Sequence, residues 1–210
     1  MKIVSLTSGG IDSFVMATML QEKGMEIHPL FINYGQLAYE REYASFLNVC
    51  EYLKLKPTTI DVSNFGKFIS SGITNEDLNV IDDAFLPNRN LLFLTLASSF
   101  AYQNDIYQVA IGIIENPIFS DQTDEFLLAT EKCLKESLEV DINLLYPLKK
   151  LNKLDIYKLA HKLELPLDLV YYCHVGGSEP CNKCLACQEH VKARKQIKEI
   201  EESGNIDRIQ

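Results

Sequence analysis

Six residues near the start of the chain, Ser8-Gly9-Gly10-Ile11-Asp12-Ser13, limit what the rest of it can become. They follow Ile3-Val4-Ser5-Leu6-Thr7, a run rich in β-branched residues with little polar alternation, as in a strand covered on both faces. After them, Phe14 to Leu20 carries apolar residues at helical spacing, ending at Gly24. A strand that turns through two glycines into a helix gathers unpaired N–H groups and the positive end of a helix dipole at one point. The glycines let an anion approach the backbone closely, so the junction suits phosphate. Gly9 and Gly10 could serve a tight turn alone. Ser8, Asp12 and Ser13 shift the balance, because their short polar side chains can cap the helix or touch a phosphate or a metal. Neither a loop closed by Lys-Ser/Thr nor Gly-x-Gly-x-x-Gly is present.

The chain then alternates. Strands are expected at Ile27 to Asn33, Thr58 to Val62, Val109 to Ile114 and Ile142 to Leu145. Helices are expected at Glu40 to Leu53, Leu91 to Ala101, Asp124 to Leu138, Leu154 to Leu163 and Gln188 to Glu202. This order predicts an α/β fold with right-handed crossovers: an open parallel five-stranded sheet with helices on both faces. Residues 63 to 87, rich in Ser, Gly, Asn and Asp, read as a long loop, and Leu91 to Ala101 as a helix apolar nearly all round. One α/β domain is expected over residues 1–165, with a C-terminal segment at 166–210.

Tyr34, Gly35 and Gln36 follow the second strand, and strand ends in such a sheet line one crevice, so these residues are expected near the glycine loop. Arg89 opens a helix, where it either pairs with a structural carboxylate or grips an anion; the helix N-terminus favours the anion. Lys153 lies in the first turn of a helix, against the dipole, which points to an anion that holds it there. Asp121 can cap the following helix, bind Mg²⁺ or hold a base edge, and Thr123 is an alternative cap.

Six cysteines in a chain of this kind do not read as a disulfide framework. Cys173, Cys181, Cys184 and Cys187 are separated by seven, two and two residues, with Gly176-Gly177 and Pro180 to supply turns. Four thiolates so spaced suit a closed, structural tetrahedral site, for zinc before an iron–sulfur cluster or redox chemistry. His174 and His190 lie nearby but are not needed as ligands. Cys50 and Cys133 are expected to be small buried apolar groups inside helices. A net charge of −9 with dispersed basic residues argues against a nucleic-acid partner. No apolar run approaches a membrane span and no leader precedes the first strand, so a cytoplasmic location is expected.

Ser-Gly-Gly-x-Asp-Ser resembles the PP-loop of the ATP pyrophosphatases, which implies a Rossmann-like, adenine-nucleotide-hydrolase type of fold. Together with Tyr34-Gly35-Gln36, Pro87-x-Arg89-Asn90-Leu91-Leu92-Phe93-Leu94, Pro147-Leu148, Leu151-Asn152-Lys153 and the four cysteines, the chain resembles the 7-cyano-7-deazaguanine synthase family along nearly its whole length. The resemblance implies an ATP-dependent C–N ligase of queuosine-type biosynthesis, typically a zinc-containing homodimer. Such an enzyme uses ATP with Mg²⁺ to adenylate a deazapurine carboxylate, lets ammonia form the amide, and activates the amide for dehydration to the nitrile. On this reading Ser8, Gly9, Gly10, Ile11, Asp12, Ser13, Tyr34, Gln36, Arg89 and Asp121 bind nucleotide or substrate. Arg89, Lys153 and Asp12 then act in catalysis, with Asp12 the protein partner of Mg²⁺.

The chain departs from the family at Leu37-Ala38, where Arg-His is usual, and at Phe119-Ser120-Asp121-Gln122-Thr123, where Tyr-Pro-Asp-Cys-Arg is usual. Those departures imply an altered acceptor half. Alternatives are therefore a relative that joins the activated carboxylate to another amine, such as a protein N-terminus in antiphage defence, a PP-loop tRNA-modifying enzyme, and a nucleotide-binding regulator without turnover.

Overall fold

Five strands, β1 (Lys2–Leu6), β2 (Glu26–Asn33), β3 (Thr58–Asp61), β4 (Gln108–Ala110) and β5 (Asn143–Leu145), form one sheet in the order β3-β2-β1-β4-β5. Every pairing is parallel, with Ile3 opposite Ile27, Val4 opposite Val109 and Val109 opposite Leu144. The computed structural model describes residues 1–115 and 118–202; Asn116, Pro117 and the expected end of the C-terminal segment at 203–210 lie outside the described residues. From β1 the chain proceeds to β2 and β3 on one side and later to β4 and β5 on the other. The strand order therefore reverses beside β1, and the glycine loop leaves the sheet at that crevice.

Helices cover both faces, as expected. Ile3, Ile27 and Ala110 pack beneath α1 (Ile11–Glu22) and α6 (Lys153–Lys162), while Val4, Leu30, Ile32, Val109 and Leu144 pack beneath α4 (Arg89–Gln103) and α5 (Asp124–Leu138). Phe31 and Phe46, both almost fully buried, join β2 to α2 (Tyr39–Leu53). Each such side chain contributes about 1.5–3 kcal/mol when removed from water. Ala193 and Ile197 of α7 (Leu185–Glu202) enter the same cluster as α1 and α6, so the C-terminal helix packs onto the sheet's core.

Four local expectations are corrected. Residues 63 to 87 contain a short helix, α3 (Asn64–Phe68), and are pinned by buried Ile73, Ala84 and Leu86; the Gly66 and Leu37 amides donate to Tyr34 and Ile73 carbonyls at 2.9 Å. Buried apolar residues scattered among turn formers carry no periodicity, which hides them in sequence. α4 is not buried all round, since Leu94, Ala97, Ser98 and Ala101 form its buried stripe while Thr95, Ser99 and Tyr102 face solvent. β4 stops at Ala110; Ile111 still donates to Leu145 at 3.1 Å, and the chain then passes over α1, with Gly112 against Asp12. Cys133 is exposed on the outer face of α5, whereas Cys50 is buried as expected.

Candidate active site

The glycine loop is shaped by α2 as much as by its own residues. Gly9 has φ of +79°, and a Cβ there would lie 2.5 Å from the Phe46 nitrogen and 2.7 Å from the Glu42 carbonyl oxygen. Both the left-handed backbone and the close approach to α2 require glycine. Ser13 Oγ accepts from the Ser8 amide at 3.2 Å and donates to the Gly10 carbonyl at 2.9 Å, which closes the loop on itself. Gly10 is the N-cap of α1 and supplies no side-chain cap, so the first-turn amides of that helix are left for a ligand.

Three cavities with shared walls lie at this edge of the sheet. One of about 130 Å³ is lined by Ser8, Gly10, Ile11, Asp12, Lys153 and the tyrosines that precede the cysteines. Its loop amides and its size suit a diphosphate. A second of about 300 Å³ runs under the strand ends between Thr7, Ile32, Tyr34, Arg89, Phe93 and Gly112. A third of about 680 Å³ opens outward past Arg89, Phe119, Gln122, Lys153 and Lys192. Asp12 and His174 line all three. A larger cavity of about 1360 Å³ lies between α6 and α7, away from the loop, and touches none of these groups.

Lys153, the first residue of α6, places its ammonium 2.7 and 2.9 Å from the Asp12 oxygens and 3.6 Å from Glu189 of α7. Burial disfavours the ammonium, but the two carboxylates more than offset this and raise its pKa. The anion expected to hold this lysine is thus the loop's own aspartate. Asn152 caps the same helix by accepting from the Asp155 amide at 3.1 Å. Across the cavity, Arg89 forms no ion pair with any carboxylate among the described residues. The Tyr34 hydroxyl is its side-chain hydrogen-bond partner, and burial raises the pKa of that phenol further above its usual range.

Glu42 of α2 accepts from Gln36 Nε2 at 3.0 Å. Gln36 is fixed in turn by the Tyr34 amide, which donates to Gln36 Oε1 at 2.9 Å. Burial pushes the Glu42 carboxyl up to about 7, against the opposing effects of Gln36 and Arg89.

The segment before the cysteines forms the far wall. The Tyr171 amide donates to Ser45 Oγ at 3.0 Å and to the Gly9 carbonyl at 3.3 Å. Ser45 Oγ lies 2.6 Å from the Gly9 carbonyl and 2.7 Å from that of Leu169, so one buried hydroxyl ties loop, α2 and C-terminal segment together. His190 stacks on Tyr172 with ring centroids 3.6 Å apart and is hydrogen-bonded to the Tyr157 hydroxyl. His174 Nδ1 is buried without a hydrogen-bond partner among the described residues, and burial, Arg89 and Lys153 push the imidazole down to about 4, so it is neutral at pH 7.

The Sγ atoms of Cys173, Cys181, Cys184 and Cys187 lie within 4.8 Å of one another. Cys181 and Cys187 are 3.8 Å apart, the edge expected for thiolates about 2.3 Å from a tetrahedral metal. Burial of Cys181 is outweighed by hydrogen bonds from the Cys184 and Lys183 amides, which bring its thiol to about 7. The donor set fits a metal ion held by four sulfurs.

Of the residues singled out from sequence, Ser8, Gly10, Ile11, Asp12, Ser13, Tyr34, Gln36, Arg89 and Lys153 line these cavities, and Gly9 shapes the loop beneath them. Asp121 does not line them. It lies under the start of α4, accepting from the Asn90 amide at 3.2 Å, while Thr123 caps α5. Leu37 and Ala38 do not line them either: they pack behind the wall, where a Cβ on Gly176 would meet the Leu37 oxygen at 2.5 Å and Ala38 Cα at 2.8 Å. Glu42, Ser45, Tyr171 and Tyr172 went unnoticed in sequence; the one available signal was the proximity of Glu42 to Gln36.

The sequence model of the family described as "Queuosine biosynthesis protein QueC" matches residues 2–198. A 7-cyano-7-deazaguanine synthase from Nautilia profundicola is 31% identical to this chain, over 99% of it and 97% of the relative. 7-Cyano-7-deazaguanine synthase 1 from Desulfitobacterium hafniense is 32% identical, over 91% of this chain and 90% of its own. Among solved structures, the U34-tRNA thiolase NcsA from Methanococcus maripaludis, with its [4Fe-4S] cluster, has a TM-score of 0.52 at 18% identity, over 96% of this chain and 67% of that one. At that identity the likeness is one of fold. Among the described residues no helix is long and apolar enough to cross a membrane.

Proposed function

This chain belongs to the QueC family of queuosine biosynthesis proteins, and from that we propose that it is an ATP-dependent ligase that makes 7-cyano-7-deazaguanine from 7-carboxy-7-deazaguanine and ammonia. The observation that carries the reading is the meeting of Lys153, Arg89 and the free amides of the glycine loop around two cavities of about 130 and 300 Å³ that share Ser8, Asp12, Glu42 and His174 in their walls. A carboxylate is a poor electrophile because its oxygen does not leave readily; transfer to the α-phosphate of ATP makes AMP the leaving group. The loop amides with Ser8 and Ser13 hold the departing diphosphate, and Lys153 and Arg89 offset the charge on the α-phosphate and on the attacking carboxylate. No covalent nucleophile on the protein is needed, and the catalysis lies in position and electrostatics.

Mg²⁺, when bound, would neutralise phosphate charge, and Asp12 is its proposed protein partner, directly or through water, in exchange for part of its contact with Lys153. Zinc is the metal proposed for Cys173, Cys181, Cys184 and Cys187; with four sulfurs it has no open position and acts structurally, by fixing the wall that carries Tyr171 and Tyr172. A homodimer in the cytoplasm is proposed for the working enzyme, with the mass in solution as its check.

The test is a product assay with ATP, Mg²⁺, 7-carboxy-7-deazaguanine and ammonium, read by mass spectrometry. Nitrile with two AMP per product supports the reading. AMP without nitrile, or no turnover despite ATP binding, rejects it.

A further inference from the structure

We propose that Glu42 is the catalytic base that strips protons from the incoming nitrogen, an assignment that rests on the synthase reading above. Four hydrogens of ammonium must leave before a nitrile nitrogen remains, so a base beside the nitrogen is required in both halves of the reaction. Deprotonation of ammonium frees a lone pair that forms the C–N bond, while the C–O bond to AMP breaks with its electrons passing to the phosphate oxygen. A second proton then leaves to give the neutral amide. The amide oxygen next displaces diphosphate from a second ATP. Loss of the last two N–H protons, with cleavage of the C–O bond to this second AMP, completes the C≡N bond. The carbonyl oxygen departs with AMP, and each proton passes through the base to water.

The structure narrows the choice of base. Asp12 and Glu42 both line the 130 and 300 Å³ cavities. Both oxygens of Asp12 are taken by the Lys153 ammonium, at 2.9 and 2.7 Å. Among the described residues Glu42 has no lysine or arginine within ion-pair distance; the partner given to it is the neutral Gln36 amide, on one oxygen. That amide is locked by the Tyr34 amide and also lies 3.4 Å from the Ile32 carbonyl, so the carboxylate is aimed and not free to swing. A carboxylate with no cation in contact with it among the described residues, facing the compartment where the acyl phosphate would form, is a place for an ammonium ion. The charged and titratable groups that share its two cavities are Tyr34 from the end of β2, Arg89 from α4, Asp12 from α1, Lys153 and Tyr157 from α6, His190 from α7, and Tyr171, Tyr172 and His174 from the wall. Burial leaves its carboxyl near 7, where it both accepts and releases a proton at neutral pH.

Glu42→Gln tests this, with hydroxylamine as the second nucleophile, since that amine is uncharged at pH 7 and needs no deprotonation before attack. Carboxylate-dependent diphosphate release should stay within about twofold of the parent, and hydroxamate formation, which sheds a proton only after attack, should fall far less than amide formation. Amide formation from ammonium at pH 7 should fall by about 10²–10⁴-fold, with recovery as the pH is raised and free ammonia increases. Glu42→Asp, which keeps a displaced carboxylate, should retain an intermediate ammonium-dependent rate, and melting curves confirm that both variants are folded. Unchanged ammonium turnover in Glu42→Gln, or equal loss with both nucleophiles, or loss of diphosphate release, overturns the assignment. If the parent itself releases no diphosphate with the carboxylate, the synthase reading fails and the assignment falls with it; if only Glu42→Gln behaves like the parent, the synthase reading stands.

Discussion

Lys153 Nζ lies 2.9 and 2.7 Å from the two oxygens of Asp12, a contact across 141 positions of sequence that joins the N-termini of α6 and α1. Both helix dipoles point at the same spot, and a lysine is there to add to them. Side-chain exposures of 20% and 30% leave the pair open to a ligand but poorly screened.

Lys153→Met is therefore expected to lower adenylation by about 10²–10³-fold, as for loss of one preorganised charge at a developing anion. The fold should survive, at a cost of about 1–2 kcal/mol for the partnerless Asp12. Diphosphate release and a urea unfolding curve separate the two effects.

Gly9→Ala should be far worse than an ordinary glycine replacement. The added methyl meets backbone of α2 at 2.5 Å, and backbone cannot rotate away. Strain at positive φ adds about 1–2 kcal/mol before that clash is counted. Loss of measurable ATP binding by calorimetry, with a melting point lowered by several degrees, is the expected outcome; normal affinity would show that the loop is not the phosphate site.

Cys184→Ser should lower bound metal from one ion per chain to near zero, as read by elemental analysis. Because Tyr171 and Ser45 connect the cysteine segment to Gly9, ATP affinity should fall as well, by tenfold or more. A metal-free variant with unchanged ATP affinity would break that link. Ser45→Ala, which keeps the metal but removes the shared hydroxyl, should show a smaller loss of the same kind, on the order of 1 kcal/mol.

Glu42 also sets a pH dependence. Its folded pKa, raised from 4.5 to about 7 by burial, exceeds its unfolded value. The stability it contributes is thus complete below about pH 4.5 and is lost as the pH rises through 7. Glu42→Gln cannot ionise, so its stability relative to the parent should improve by about 1–3 kcal/mol between pH 4 and 8. Urea titrations across that range would show a constant difference if the carboxyl were ordinary.

The alternation of strands and helices, the glycine loop and the four sulfurs were legible because each is a local pattern with one physical use: apolar runs, an N-terminal anion site and metal-ligand spacing. Lys153 was legible through a conflict, a cation at the wrong end of a dipole. Glu42 and Ser45 gave no such signal. They lie on a helix whose exposed face is equally polar, and their burial arises only when Gly9 presses against that helix. The place of Asp121 was hidden for a similar reason, since the amide it accepts from belongs to Asn90 of α4, 31 positions earlier, and not to the adjacent α5. Helical periodicity likewise could not tell Cys133 from Cys50, because a single thiol suits either side of an amphipathic helix.

The phosphate compartment takes its floor from residues 8–13 and its far wall from residues 171–190. The wall that closes the loop thus comes about 160 residues after it in the chain. Without that wall, α2 and Ser45 are the loop's remaining neighbours, and the compartment is an open shelf. A chain that lacks residues 171–190 keeps the loop but not the compartment.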